Sequence, residues 1–571
     1  MIPKINAIAK NHKAQYFYYL SILMISNIIL LFTEPMGIMA RLAFILLPLG
    51  IQGVLLACVK KPGLMFLLLL PKSIIDAFQF VLLVLYGGSI IAVDMFLNVV
   101  TTNSTEVGEL LSNLAPAIAL LMAIYIPAIF IAIVSLRKNS FEYTRNFRKR
   151  ILRVTGAITI CGFIFFAGAH IEKRGFEAKY DIYPTNVFYN MDFALDKLEK
   201  IHKCKSVSKE FTYNASLEST AANASTDSTR EIYLLVIGET ARAHNWSLYG
   251  YDKKTTPHAD TLSNLIKFNA LTQSNTTHKS VPMLLTPADA GNYELLYRCK
   301  SIVTLFKECG FRSIYLTNHN YNGTFMENYF NEADISISLK EDDSGTGYDY
   351  PMTDTLKSLL KREESNKLFI VMHLYGSHFK YSERYSSEFA KWLPDRAEVI
   401  SAKFKQELEN GYNNSILSTD HLLNEIISVI RNEKCRSFLV YASDHGEDLM
   451  DDRRKRFLHA SPLPTSHQLY VPFIFWYSDQ YKECYESKIN VTLQNSAYTV
   501  SSSANLFHTV ADLASVKSEY INEEKAISSD KFKVAPLLYL TDHDGCIRVD
   551  QLPLKRLDIE FLKEYNLLNS D

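Results

Sequence analysis

Ile232-Tyr-Leu-Leu-Val-Ile-Gly-Glu239-Thr-Ala-Arg242 decides the fold. An unbroken apolar run leads into a glycine and then a carboxylate. Such a run reads as a strand buried on both faces. Its C-terminal end delivers Glu239 into a crevice, where open α/β sheets place their chemistry. Further along, Phe438-Leu-Val-Tyr-Ala-Ser443-Asp444-His445-Gly446-Glu447 repeats the pattern and ends in an Asp-His pair. A carboxylate from one strand tip and an Asp-His from another can meet around one metal ion. Acidic groups and imidazoles closing buried runs need a partner of that kind. Zinc takes this donor set, with one position left open in catalytic sites.

The region around these runs alternates strands with helical stretches. Strands are expected at 232–237, 312–317, 367–373, 437–442 and 471–476, and helices at 297–309, 353–362 and 415–431. That alternation predicts a mostly parallel central sheet covered on both faces.

The chain has 571 residues, too many for one core, and a formal net charge of -1. The charge balance gives no sign of a nucleic-acid partner. Hydrophobic residues concentrate in the first 170 positions. Five stretches there, 16–33, 40–58, 64–86, 114–136 and 151–169, match the length a membrane helix needs. The third carries Lys72 and Asp76, and 88–100 reads as an interfacial or re-entrant piece. Lys4, Lys10 and Lys13 precede the first span. Lys60 and Lys61 follow the second, and Arg137, Lys138, Arg145, Arg148, Lys149 and Arg150 follow the fourth. This places the N-terminus in the cytoplasm and everything after the fifth span outside it. A cleaved signal peptide at 16–33 is the weaker reading, because four more spans follow.

The expected organisation is thus a transmembrane domain over 1–170, bridging helices and a linker over 171–229, and an exported catalytic domain over 230–571. A helix is expected near 189–203. The Ser/Thr/Ala/Asn tract of 214–229 has a linker's composition. Cys58 and Cys161 fall in spans. Cys204, Cys299, Cys309, Cys435, Cys484 and Cys546 fall in the exported part, where Cys299–Cys309 is the first candidate disulfide.

A nucleophile is expected in Ser274-Asn-Thr-Thr277-His-Lys-Ser280-Val-Pro282. Thr277 and Ser280 offer hydroxyls at a helix start, whose free N–H groups attract phosphate. A metal ion would lower the hydroxyl's pKa. An ordinary Ser/Thr N-cap accounts for the same residues equally well. His378 and His459 are further candidates, with a solvent-facing role as the alternative. His373, inside an apolar run, reads as a core histidine.

The chain resembles the lipid phosphoethanolamine transferases of Gram-negative bacteria, which include the mobile colistin-resistance enzymes and belong to the sulfatase and alkaline-phosphatase superfamily. The resemblance rests on Gly238-Glu-Thr-Ala-Arg-Ala243 with Leu248-Tyr-Gly-Tyr251, Thr277-His-Lys-Ser-Val-Pro282, Gly376-Ser-His378, Ser443-Asp-His-Gly-Glu447 and Leu458-His459. It implies five membrane helices joined to a periplasmic sulfatase-like α/β domain, in the inner membrane. It implies that Glu239, Thr277, Asp444 and His445 hold one zinc ion, with Thr277 as nucleophile. His378 and His459 would bind substrate phosphate or a second zinc and move the leaving-group proton. Glu447 would support the ligands from behind, and Asn318 or Asn320 would contact the phosphoryl group. The donor would be phosphatidylethanolamine. The acceptor would be lipid A or a core sugar of lipopolysaccharide, with a periplasmic glucan as another option. The oligomeric state is left open, with a monomer as the working expectation. Where the lipid A-modifying members have a Cys-Gly ahead of the nucleophile and a Cys after Ser-Val-Pro, this chain has Ser274-Asn275-Thr276 and Met283. The acceptor therefore stays open.

Two other readings compete. A phosphoglycerol transferase of the lipoteichoic-acid-synthase kind shares the five-span plan, but Gly-Glu-Thr-Ala-Arg favours the ethanolamine branch. A membrane-tethered protein with an inactive site is the non-enzyme alternative. A sulfatase is disfavoured, since no C-x-P-x-R or S-x-P-x-R segment occurs.

Overall fold

The computed structural model describes residues 11–34, 36–86, 90–101, 114–137, 142–172, 178–218, 230–320, 325–340 and 347–568. Lys4, Lys10 and Lys138, and most of the linker tract, lie outside the described residues. The chain divides near Leu195 into two units.

The N-terminal unit is helical. Its elements are α1 (His12–Thr33), α2 (Ile38–Cys58), α3 (Pro62–Leu68), α4 (Leu70–Tyr86), α5 (Val93–Thr101), α6 (Ala115–Arg137) and α7 (Arg145–Glu172). Asn11 caps α1, its side chain accepting from the N–H groups of Lys13 and Ala14. Among the described residues, four helices are long and apolar enough to cross a membrane, or five if α3 and α4 count as one broken span. These two meet at 61°. Pro71, at the start of α4, has no N–H to continue the ladder, and the third expected span breaks there. The two charges in that span satisfy each other. Lys72 Nζ lies 2.6 Å from Asp76 Oδ2, and Tyr183 donates to Asp76 Oδ1 at 2.6 Å. Ile126 and Phe130 of α6, and Ile160, Phe163 and Ile164 of α7, face outward. Water would penalise that arrangement and lipid would not. α2 packs on α7 through small residues: a Cβ on Gly50 would collide with Thr159, and one on Gly53 with Thr155. α8 (Thr185–Val207) contains the helix expected at 189–203.

The second unit is built on an eight-stranded sheet. In chain order its strands are β1 (Glu231–Gly238), β2 (Leu265–Leu271), β3 (Arg312–Thr317), β4 (Ile335–Ser338), β5 (Lys367–His373), β6 (Arg436–Ser443), β7 (Tyr470–Tyr477) and β8 (Val500–Ser501). Their spatial order is β8-β2-β7-β6-β1-β5-β3-β4. Only β7 runs antiparallel to its neighbours β6 and β2. The sheet is thus mostly parallel, as the apolar runs predict. β1 is buried at every position. Ile232, Leu234 and Val236 join one core, with α11 (Pro351–Arg362) and α12 (Lys405–Asn432) over it. Tyr233, Leu235 and Ile237 join the other, under α9 (Thr277–Leu285), α10 (Ile302–Glu308) and α13 (Ser502–Leu513).

Three strands escape the sequence reading. β2 alternates exposed Lys267 and half-buried Asn269 with buried neighbours, and β4 and β8 have only four and two residues. α12 begins ten residues before the expected 415, because Asn410, Asn413 and Asn414 find partners that override their turn preference. Asn414 Oδ1, for example, accepts from the N–H groups of Lys391 and Trp392. The expected Cys299–Cys309 bridge does not form, and all eight cysteines are unpaired. α10 lies between the two, and its seven residues rise about 10 Å, beyond the roughly 7 Å Cα separation a disulfide tolerates.

Candidate active site

Parallel register levels the tips of three central strands. Gly238 of β1 pairs with Ser443 of β6, and Ile237 pairs with His373 of β5. The residues that follow, Glu239 and Asp444-His445, therefore emerge side by side at the C-terminal edge. The ligand atoms of Glu239, Asp444 and His445 all lie within 4.8 Å of one another, and all three side chains are buried.

The peptide framework around them is heavily tied. Asp444 Oδ1 accepts from the N–H of Thr240 at 3.0 Å and of His445 at 2.7 Å. Thr272, at the end of β2, donates to the Asp444 carbonyl at 2.7 Å. Ser443 Oγ accepts from the Ala241 N–H at 2.8 Å and donates to the His445 carbonyl at 3.1 Å. Tyr412 of α12 donates to the Thr240 carbonyl and accepts from the Arg242 N–H, at 2.7 and 2.9 Å. Thr240 itself is held at φ +62°. The surroundings over-determine this turn, as strained backbone at functional sites requires.

α9 supplies the hydroxyl. Its N-cap is Thr276, which makes no side-chain capping bond, and Thr277 is the first helical residue. Thr277 Oγ1 lies 3.2 Å from Glu239 Oε1 and 3.1 Å from His445 Nε2. Ser280 instead donates back to the Thr276 carbonyl at 2.9 Å. Of the two hydroxyls, only that of Thr277 joins the carboxylate–imidazole group. The segment before it is anchored by Asn275, which donates to the Ser461 carbonyl at 2.8 Å and accepts from Tyr539 at 2.9 Å.

The electrostatics ask for a cation. Burial, and then the charge of Asp444, push the Glu239 carboxyl well above its ordinary range. Asp444 Oδ2 is buried and accepts no hydrogen bond among the described residues. Burial pushes the His445 imidazole down to about 4, so the ring is neutral near pH 7. Its Nδ1 lies 3.0 Å from the Gly446 carbonyl. Donation there leaves the Nε2 lone pair facing Thr277 and Glu239. Two buried carboxyls, a neutral imidazole and a hydroxyl form a donor set that fits zinc.

The remaining candidates surround this group. His459 Nδ1 lies 3.2 Å from Glu447 Oε1, and its ring sits 4.1 Å from that of His445. Burial pushes the His459 imidazole down to about 4 and the Glu447 carboxyl up. His378 stacks on Tyr375, with its Nδ1 2.8 Å from the Phe379 carbonyl. Among the described residues, no third His, Cys, Asp or Glu joins His378 and His459 as a compact ligand group. Asn318 is buried and donates to Asp349 Oδ1 at 2.8 Å, while Asn320 is exposed. Asp349 accepts from the N–H groups of Tyr375 and Gly376 at 2.9 and 2.8 Å. Asn318 thus supports the turn that carries Gly376 and His378. Sequence reasoning missed Asp349, Tyr412 and Thr272, whose roles depend on contacts distant along the chain. It also missed His319, which stacks on His373 with ring centroids 4.1 Å apart.

Comparison with known proteins agrees with this architecture. Residues 231–516 match the sulfatase family model, and residues 42–192 match that of phosphoethanolamine transferase EptA/EptB. Phosphoethanolamine transferase EptC of Escherichia coli is 29% identical over 313 residues, 52% of this chain and 53% of its own length. Kdo(2)-lipid A phosphoethanolamine 7''-transferase of the same species is 29% identical over 283 residues, 48% of each chain. The chain thus spans about half the length of these curated relatives. The periplasmic domain of E. coli EptC, solved in complex with Zn, superposes with a TM-score of 0.53 at 26% identity, covering 57% of this chain and 95% of that one. The integral membrane protein EptA of Neisseria meningitidis shares the fold, with a TM-score of 0.69 at 18% identity over 90% of this chain and 97% of that one. The chain belongs to the sulfatase family, preceded by the N-terminal domain of the phosphoethanolamine transferases EptA and EptB.

Proposed function

We propose that this protein transfers phosphoethanolamine from phosphatidylethanolamine to a glycolipid of the cell envelope, by way of a covalent phosphothreonine at Thr277. The observation that carries the proposal is the placing of Thr277 Oγ1 against both Glu239 and His445 at the start of α9. Similarity to the Kdo(2)-lipid A transferase makes lipid A or its attached sugars the leading acceptor.

In the first step Thr277 Oγ forms a bond to phosphorus, and the bond to the diacylglycerol oxygen breaks. In the second an acceptor oxygen displaces Thr277 from the same phosphorus. Zinc held by Glu239, Asp444, His445 and Thr277 would supply Lewis-acid stabilisation of phosphoryl charge and acidify the hydroxyl. The free N–H groups opening α9 complement the anionic phosphoryl oxygens. His459 and His378, neutral near pH 7, move the protons of the leaving and attacking oxygens, and Glu447 orients His459. Donor and acceptor are both lipids, so the apolar helices of the N-terminal unit keep enzyme and substrates on one surface. By charge bias that surface is the periplasmic face of the inner membrane.

The test is to incubate the detergent-purified full chain with phosphatidylethanolamine alone and map the product by mass spectrometry. Phosphoethanolamine on the Thr277 peptide, with diacylglycerol released in equal amount, is the expected result. In a parallel incubation with lipid A added, transfer to that acceptor with Thr277 never modified would exclude the covalent route.

A further inference from the structure

Glu239 belongs to a second ligand group. Its carboxylate, His319 and His373 offer donor atoms that all lie within 4.8 Å of one another. The topology produces this meeting. His373 is the last residue of β5, in register with Ile237 of β1 and Thr317 of β3. His319 follows β3 by two residues. Adjacent strand tips therefore bring two imidazoles beside the carboxylate that already faces Thr277. His319 Nε2 lies 2.7 Å from the Leu374 carbonyl. Nε2 is then the protonated nitrogen, and Nδ1 keeps its lone pair. Metal-ligating histidines are held this way, the second ring nitrogen donating to a backbone carbonyl. Filling the space between strand tips does not by itself call for two stacked imidazoles on one buried carboxylate.

We propose that Glu239, His319 and His373 hold a second divalent cation, with the Glu239 carboxylate bridging it to the ion of Asp444 and His445. Two imidazoles and a carboxylate suit zinc, and three protein ligands leave a position for water or a substrate oxygen. This assigns His373 a ligand's role in place of a core histidine's. It places the second ion apart from His378 and His459. The inference rests on the zinc centre of the proposed function, because the two sites share Glu239.

The experiment strips the full chain in detergent with a chelator, dialyses it against Zn2+ and counts bound zinc per chain. Two ions are expected in the native protein, one in His319→Gln and in His373→Gln, and two in His378→Gln. Zinc-edge X-ray absorption of the loaded native protein should show a metal–metal distance of about 3.5–4 Å, as in two-metal sites. That signal needs no variant to fold. One ion per native chain with transfer intact overturns the second site alone. So do two ions retained in both His319→Gln and His373→Gln. No zinc in the native protein overturns the first centre, and this inference with it.

Discussion

Gly376 presses its backbone against that of Glu239: a Cβ at position 376 would lie 2.7 Å from the Glu239 carbonyl oxygen and 3.0 Å from its nitrogen. The contact is held from both sides. Ser377 N–H donates to the Glu239 carbonyl at 3.0 Å, and Asp349 grips the Gly376 N–H. Gly376 also sits at φ +52°, where a side chain is strained. Gly376→Ala must move backbone, and the backbone it meets carries a proposed metal ligand. Zinc affinity should fall about 10–100-fold, as when supporting contacts of a metal site are lost. Competition with a chromophoric chelator measures this, and an unchanged affinity would show that the site does not need this close approach.

Arg242 offers a test of stability next to the site. Its Nη1 lies 2.8 Å from Asp451 Oδ2 and donates to the Glu447 carbonyl at 3.1 Å. Burial opposes ionisation of Asp451, yet the Arg242 guanidinium holds that carboxyl well below its usual range. Asp451→Ala would strand a buried cation, at a cost of about 3 kcal/mol or more. The double substitution Arg242→Met with Asp451→Leu should recover part of that loss. Denaturant midpoints of the full chain decide it. Equal stability of Asp451→Ala and the native protein would mean that water reaches Arg242.

Much of this was legible in the sequence, for a physical reason. Strands buried on both faces announce themselves as apolar runs, and Glu239, Asp444 and His445 stand out because polar groups end those runs. From spacing alone this segment reads equally as an ordinary cap or as a nucleophile, and the fold separates its two hydroxyls, since Ser280 turns to its own backbone. Asp349, Tyr412 and His319 were not legible, because each acts on a residue that only the fold brings near. His373 is buried, as the apolar run around it implies, but periodicity does not show that a strand tip brings it against His319 and Glu239.

Stability should depend on pH through His508. Burial, then the charge of Lys525, push its imidazole down to about 3, and its Nδ1 accepts from the Asn522 N–H at 3.2 Å. Unfolded, the same ring takes a proton near pH 6.5. The unfolded chain therefore binds more protons, and stability is full above pH 6.5 and falls as pH drops towards about 3. The slope from this group approaches about 1.4 kcal/mol per pH unit. Other buried histidines contribute too, so the comparison is between slopes. His508→Gln should flatten the fall between pH 6.5 and 5 by about one proton's worth. Parallel slopes for variant and native protein would mean that His508 stays solvated.

The nucleophile can be separated from the ligands at Thr277. Thr277→Ala removes the only hydroxyl of α9 that faces Glu239 and His445 but leaves three protein ligands, enough to hold a zinc ion. Zinc should remain while transfer falls by about a million-fold, the scale seen when a covalent nucleophile is removed. Thr277→Ser keeps the oxygen and loses the methyl group that restricts χ1. Its hydroxyl can swing away, so a loss of about tenfold is expected, with phosphoethanolamine still trapped on residue 277. Asp444→Asn should behave differently, losing the ion it shares with His445 and activity together. Zinc counts and transfer rates measured on the same three preparations distinguish the roles. Should Thr277→Ala lose zinc as completely as Asp444→Asn, its inactivity would no longer identify a nucleophile, and only the trapped adduct could.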